Sequence, residues 1–206
     1  MLKIWGRLTS VNVQKVVWCA DELGLSYQRI DAGRNFGLVD TPDYRAMNPN
    51  GLVPVIEDDG FVLWESNAIV RYLAAQYGEG TLWPTDRQMR ADADRWMDWQ
   101  ATCFNPAIGP AFWHLIRFAP GQRDPAVIET ARESAEKKLA LLDAHLAARD
   151  FVAGASFTMG DIPLGCSLDR WYKLPLIRES HPHVERWYAA LRGREGARQV
   201  VALALS

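Results

Sequence analysis

The sequence predicts a small α/β domain followed by an all-helical one. Three observations carry that prediction. Short β-rich runs alternate with helical periodicity through about the first eighty residues. The segment GEGTLWPTD, residues 78–86, then breaks both patterns with glycine and proline. After it, every long patterned stretch repeats its apolar residues at helical spacing.

Leu2–Trp5 is the first strand. Val13–Leu23 follows as a helix, with Val13, Val16, Val17, Ala20 and Leu23 near helical spacing and Gly24 where a C-terminal cap belongs. Tyr27–Ile30 is the second strand. A strand–helix–strand order implies parallel pairing through a right-handed crossover. Residues 31–50 read as loop, rich in glycine and proline. A hairpin comes next, Val53–Ile56 and Phe61–Trp64, turning at Asp58-Asp59-Gly60. Ser66–Tyr77 is a helix stopped by Gly78. Beyond the linker, helices are expected at Arg87–Cys103, Pro125–Arg149, from Thr158 to about Leu174, and at His183–Leu191. Asn105-Pro106 and Gly109-Pro110 should break or kink the first of these.

The totals exclude several function classes. The 206 residues carry a net charge of −2. Residues 1–80 hold seven Lys/Arg against ten Asp/Glu, and residues 81–206 hold sixteen against fifteen, so no basic surplus hides in either part. A general nucleic-acid binder would show one. The three cysteines, Cys19, Cys103 and Cys166, are far apart and form no metal-ligand spacing, so no metal site is expected. Sparse, odd cysteines fit a reducing compartment. No secretory signal pattern opens the chain, and no apolar run reaches the ~18 residues of a membrane span. The expectation is a cytoplasmic protein. Nine tryptophans point to aromatic packing, an apolar cleft, or both.

Three stretches could carry chemistry. In RLTSVNVQKV, 7–16, the small polar residues Thr9, Ser10 and Asn12 sit where strand gives way to helix. Any of them could cap the helix, or donate a hydrogen bond to a thiolate held at its positive end. A free thiol titrates near ~8.5. Lowering that by one to two units takes roughly 1.4–2.7 kcal/mol, which one charge-assisted hydrogen bond can supply. In NPNGLVPV, 48–55, Pro54 stands at a strand start. A cis Val53–Pro54 bond would free the backbone of Val53 to pair with an extended peptide; an edge-strand proline is the plain alternative. In WESNAIVRYL, 64–73, Ser66 is a natural N-cap. The helix end there attracts a carboxylate and Glu65 an ammonium group, which together match an α-amino acid head; simple capping is the alternative.

The order and spacing of these stretches resemble the cytosolic glutathione transferases, of the bacterial, serine-type, theta/beta-like kind. The resemblance spans essentially the whole chain and is strongest in NPNGLVPV and ESNAIVRYL. FTMGDIPLG, 157–165, resembles the family's helix-capping motif, with Thr158 and Asp161 at capping-box spacing. The resemblance implies a thioredoxin-like domain at 1–80 that binds glutathione and a helical domain at 87–206 that contributes the acceptor pocket. It implies that Val53, before a cis Pro54, pairs with the cysteinyl unit, and that Glu65 and Ser66 hold the γ-glutamyl head. Ser10 falls at the serine-type position, with Thr9 and Asn12 able to take over its role. It further implies a homodimer, with Trp96 and Trp99 on the helix that meets the partner. The activity implied is conjugation of reduced glutathione, the cosubstrate, to an electrophile, with no other cofactor. Peroxidase or dehalogenase chemistry, or a non-catalytic binding or regulatory role on the same fold, are the alternatives.

The chain also departs from that pattern. No tyrosine stands in the first loop, and Cys19 lies well inside the first helix, which disfavours a cysteine mechanism. Leu52 replaces a basic or polar residue, so Arg34 is a candidate for the glycine end of glutathione. Phe112, Trp113, His114, Trp171 and Tyr172 are candidates for the acceptor pocket, expected between the two domains. Each could instead be core, and His114 could simply be satisfied by a backbone group.

Overall fold

The computed structural model describes residues 1–205. The chain forms two compact units, one of Met1–Trp83 with Arg194–Leu203, the other built on Pro84–Gly193.

The first unit runs β1 (Leu2–Trp5), α1 (Val11–Glu22), β2 (Tyr27–Ile30), α2 (Pro42–Met47), β3 (Val55–Asp58), β4 (Phe61–Trp64) and α3 (Ser66–Tyr77). Its sheet has the order β2-β1-β3-β4. β1 is parallel to β2, and the other two pairings are antiparallel. Leu2, Ile4 and Ile56 are buried on one face. On the other, Val55 packs with Tyr44 of α2, Trp5 and Trp64. Helix α1 ends as the glycine at 24 dictates. Gly24 sits at φ +65°, its N–H donates to the Asp21 carbonyl at 3.1 Å, and the Leu25 N–H reaches Ala20 at 2.9 Å, the two bonds of a Schellman cap.

Within the stretch expected to be rich in loop, the structure has α2. Thr41 caps it by accepting from the Tyr44 N–H at 3.3 Å, and Pro42 occupies the first turn. Cap and proline are ordinary start signals; the surrounding glycines and prolines mask them.

The second unit contains α4 (Arg87–Trp99), α5 (Asn105–Phe112), α6 (Pro125–Leu146), α7 (Asp161–Tyr172) and α8 (Pro182–Arg192). The prolines at 106 and 110 do not end the first helical run. It continues through two wide turns, Gln100–Phe104 and Trp113–Arg117. A proline cannot donate to the carbonyl four residues back. The chain accommodates this by i→i−5 bonds, Asn105 N–H to Gln100 and Phe118 N–H to Trp113, the π-turn solution. Trp171 and Trp187 are fully buried. His181 Nε2 meets Glu136 at 2.7 Å, and Asp143 accepts from the first N–H groups of α8, so α6 fixes where α8 begins. Within the described residues, no helix is long and apolar enough to cross a membrane.

Only one arm of the expected Thr158–Asp161 box forms: Gly160 is the N-cap of α7, Thr158 Oγ1 accepts from the Gly160 N–H at 3.3 Å, and the Asp161 N–H goes to the Thr158 carbonyl at 3.1 Å. Asp161 accepts from Thr158 N–H at 2.9 Å, from Val152 N–H at 3.0 Å and from Trp187 Nε1 at 2.9 Å. Burial still pushes its carboxyl up to about 6, against the pull of those donors.

Candidate active site

The sheet register sets the geometry. Trp5 pairs with Ile30 on one side and Val55 on the other, and Val55 pairs with Trp64. These four residues form one row across the sheet. The segments that adjoin them, from Gly6, Asp31, Val53-Pro54 and Glu65-Ser66, therefore all lie at the same end. Parallel pairing of β1 and β2, with β3 reversed, makes this unavoidable.

The first segment builds the start of α1. Ser10 is the N-cap residue, and the helix starts at Val11, two positions earlier than periodicity alone placed it. Its carbonyl accepts from Gln14 N–H at 2.9 Å, but its side chain makes no cap hydrogen bond. Its hydroxyl is buried and has no hydrogen-bond partner among the described residues, so its O–H can donate to another acceptor. Thr9 and Asn12 flank it, half buried. The first N–H groups of α1 face the same end and add their dipole. Cys19 takes no part. It is fully buried, 3.9 Å from the Val70 carbonyl, and burial pushes its thiol far above the ordinary range.

The Val53–Pro54 bond is cis. Among the described residues, the backbone N–H and C=O of Val53 have no hydrogen-bond partner. Its position is fixed from the preceding residue. Tyr44 Oη and Asn48 Nδ2 each donate to the Leu52 carbonyl at 2.9 Å, and Asn48 Oδ1 accepts from Asn50 N–H. The asparagines of NPNG thus hold the loop in place, and the Leu52 side chain is exposed.

Helix α3 spans Ser66–Tyr77 as expected, but its cap differs by one residue. Glu65, not Ser66, is the N-cap, at φ +72° and with an exposed side chain. Ser66 is the first helical residue and is buried. That places its N–H among the free amides of the helix end. Lys15 of α1, 2% exposed, donates to Ser66 Oγ at 3.4 Å and to Asn67 Oδ1 at 3.0 Å. A buried cation beside a helix N-terminus makes a stronger carboxylate site than the helix alone. Sequence reading missed Lys15, whose only signal is a charge inside the apolar pattern VQKVV.

Residues 9–76 match the family model described as glutathione S-transferase, N-terminal domain, and residues 125–190 match its C-terminal domain. Glutathione S-transferase GstB of Escherichia coli K12 is 42% identical, covering 100% of both chains. The chain belongs to the glutathione S-transferase family. A crystal structure of a theta-class glutathione S-transferase from Xanthomonas axonopodis pv. citri, with glutathione bound, superposes with a TM-score of 0.95 and 46% identity, covering 100% of this chain and 99% of that one. Elongation factor 1-gamma 3 of rice is 30% identical over 92% of this chain and 46% of its own length.

For a glutathione S-transferase, the aromatic candidates of the second unit fall into unequal places. Phe112 is buried, with Arg170 Cζ 4.1 Å and Arg117 Cζ 5.1 Å from its ring centre. Trp113 is 50% exposed. His114 Nδ1 accepts from the Asp124 N–H at 2.9 Å, so the ring closes a loop onto the start of α6. Trp171 is fully buried and lines no open surface. Tyr172 is half buried, edge-on to Tyr188 at 5.0 Å. Trp96 is core, 4.5 Å from His145, whereas Trp99 is partly exposed and stacks on Phe104.

Proposed function

We propose that the protein conjugates reduced glutathione to small, mostly apolar electrophiles by stabilising the thiolate. The alignment of four recognition segments at one end of the sheet carries this reading. Glu65 takes the ammonium of the γ-glutamyl head. Ser66, the free amides of α3 and Lys15 take its carboxylate. Val53 pairs its backbone with the cysteinyl unit beside Pro54. Ser10 donates to the sulfur, with Thr9 and Asn12 beside it, and Arg34 meets the glycine end. The thiolate then attacks the electrophilic carbon, and the displaced group leaves with its electron pair, or the adduct takes a proton from water. The residues of 1–80 bind glutathione, and those of 87–206, through Trp113 and its neighbours, contribute to acceptor binding.

The test is an ultraviolet titration with glutathione across pH. A thiolate band well below the pH at which free glutathione ionises is expected, lost in Ser10→Ala and kept in Asn12→Ala. Glutathione bound without a thiolate band removes the catalytic reading.

The same thiolate could meet a peroxide or a haloalkane, a choice set by acceptor shape. A non-catalytic reading draws its support from the elongation-factor relative. It predicts glutathione-independent binding of a partner protein and no turnover. We also read the protein as a cytoplasmic homodimer, which sedimentation at micromolar concentration checks.

A further inference from the structure

Glu136, on α6, is a carboxylate that has left solvent without filling its hydrogen bonds. It is 5% exposed. Its Oε2 meets His181 Nε2 at 2.7 Å, but its Oε1 is sealed from solvent without a partner. Such an oxygen is costly to bury and calls for a specific explanation. Two further ligating side chains stand beside it. His181, equally buried, is the residue before α8, and Glu179 lies two positions earlier, exposed. One ligating atom from each of Glu136, Glu179 and His181 lies within 4.8 Å of the other two. The two buried members are held in place. Glu185 accepts from the His181 N–H at 3.1 Å and from Ser180 Oγ at 3.2 Å. Asp143, one heptad beyond Glu136 on the same face of α6, accepts from the His183 and Val184 N–H groups at 2.8 and 2.9 Å. A cleft of about 410 Å³, lined by Tyr172, Arg178, Glu179, Ser180 and Glu185, gives access from solvent.

We propose that Glu136, Glu179 and His181 bind a divalent metal ion of the zinc type, which ties the segment before α8 to α6. The donor set selects the ion. Calcium and magnesium take oxygen ligands alone, whereas one imidazole with two carboxylates suits zinc. The local charge agrees. Glu136, Glu179 and Glu185 bring three negative charges and Arg178 one positive, which leaves two to neutralise. Arg178 does not compete for the carboxylates. Its Nη2 donates to the Trp171 carbonyl at 2.8 Å and also to that of Leu174, and it forms no ion pair among the described residues. Zinc bonds of about 2.0–2.2 Å in a tetrahedron set ligand atoms about 3.3–3.5 Å apart. The Glu136–His181 contact must therefore open by roughly 0.6 Å, and the exposed Glu179 side chain must swing inward. The proton shared by His181 and Glu136 leaves to solvent as the metal takes its place. The cleft supplies water for the fourth position. All three ligands belong to the helical unit, so the proposal does not depend on the glutathione reading. Its ligands come from separate elements and include no cysteine, so no short ligand spacing marks the site in the sequence.

Calorimetric titration of the untagged, chelator-stripped protein with zinc chloride, in the absence of glutathione, tests the proposal. One zinc per chain should bind. At zinc a hundredfold above Kd the melting temperature should rise by roughly 5–10 °C. His181→Gln should abolish binding. Glu179→Gln should weaken it about tenfold or more. Glu179 is exposed and has no partner among the described residues, so the metal-free melting temperature of that variant should match the native one. X-ray absorption of the zinc-loaded protein should show nitrogen and oxygen neighbours at about 2.0–2.2 Å and no sulfur. Failure of zinc to bind below millimolar concentration overturns the proposal. Unchanged affinity in either variant overturns it as well, because the ion then sits elsewhere. Sulfur in the coordination shell does the same and assigns the ion to a cysteine.

Discussion

Glu65 shows how single residues carry this site. A non-glycine residue at φ +72° is strained, by an amount of order 1–3 kcal/mol. Nothing in its own exposed side chain offsets that cost, so the backbone around it holds the conformation. In the proposed site this conformation sets the Glu65 carboxylate beside the free end of α3. Glu65→Gly and Glu65→Ala should therefore lose glutathione affinity alike, while the glycine variant melts later, being about 1 kcal/mol more stable. Equal stability of the two would mean that Glu65 is not strained. Thr9, Ser10, Asn12, Val53, Glu65 and Ser66 could be found in the sequence because each sits at a strand-to-helix or loop-to-strand junction with a recognisable side chain. Lys15 could not. It is a charge that has lost solvent, and burial of one charged residue leaves no periodic trace.

At the scale of elements, the strands and the long helices were legible because their apolar spacing decides which face is buried. The turns at Pro106 and Pro110 were not, because proline forbids one hydrogen bond without stating how the chain will accommodate its loss. The start of α7 makes two predictions. A Cβ at Gly160 would lie 2.7 Å from the Ala93 carbonyl oxygen and 2.9 Å from its Cα. That neighbour is backbone of α4 and cannot swing aside. Gly160→Ala should cost about 1–3 kcal/mol, read by urea unfolding. Asp161 gives a pH dependence. Its folded value of about 6 lies above the ~3.9 of an unfolded aspartate. Between those values the folded state keeps a proton that the unfolded state releases, so this contribution is full below about pH 4 and is lost as pH rises through 6. The loss amounts to roughly 3 kcal/mol. The stability difference between the native protein and Asp161→Asn should shrink by that order from pH 4 to pH 7. An unchanged difference would mean that the donors around Asp161, the hydroxyl of Thr158 at 3.3 Å among them, keep it ionised throughout.

At the scale of the whole molecule, the chain leaves the helical unit at Gly193 and rejoins the first unit. Arg194 pairs with Glu22 at the end of α1, with Nε 2.9 Å from the carboxylate, and Gln199 donates to Asp21 at 2.8 Å. Ala197 and Val200 are fully buried there. The last turns of the chain are thus part of the core behind α1, the helix whose start holds Ser10. A surface pair contributes 1 kcal/mol or less, whereas breaking a buried one costs about 3–5. The Glu22 side chain is 12% exposed and that of Arg194 33%, which places this pair between the two limits. Arg194→Ala should cost about 2 kcal/mol in thermal unfolding, because it strands a buried carboxylate. Most of that cost is the stranded charge rather than the lost attraction. Adding Glu22→Gln removes the charge and should recover part of the loss, making the double variant more stable than Arg194→Ala alone. If the second substitution instead lowers stability further, Glu22 is held by Trp18 and the backbone around Gly196 without need of the arginine. The tail would then dock through Ala197 and Val200.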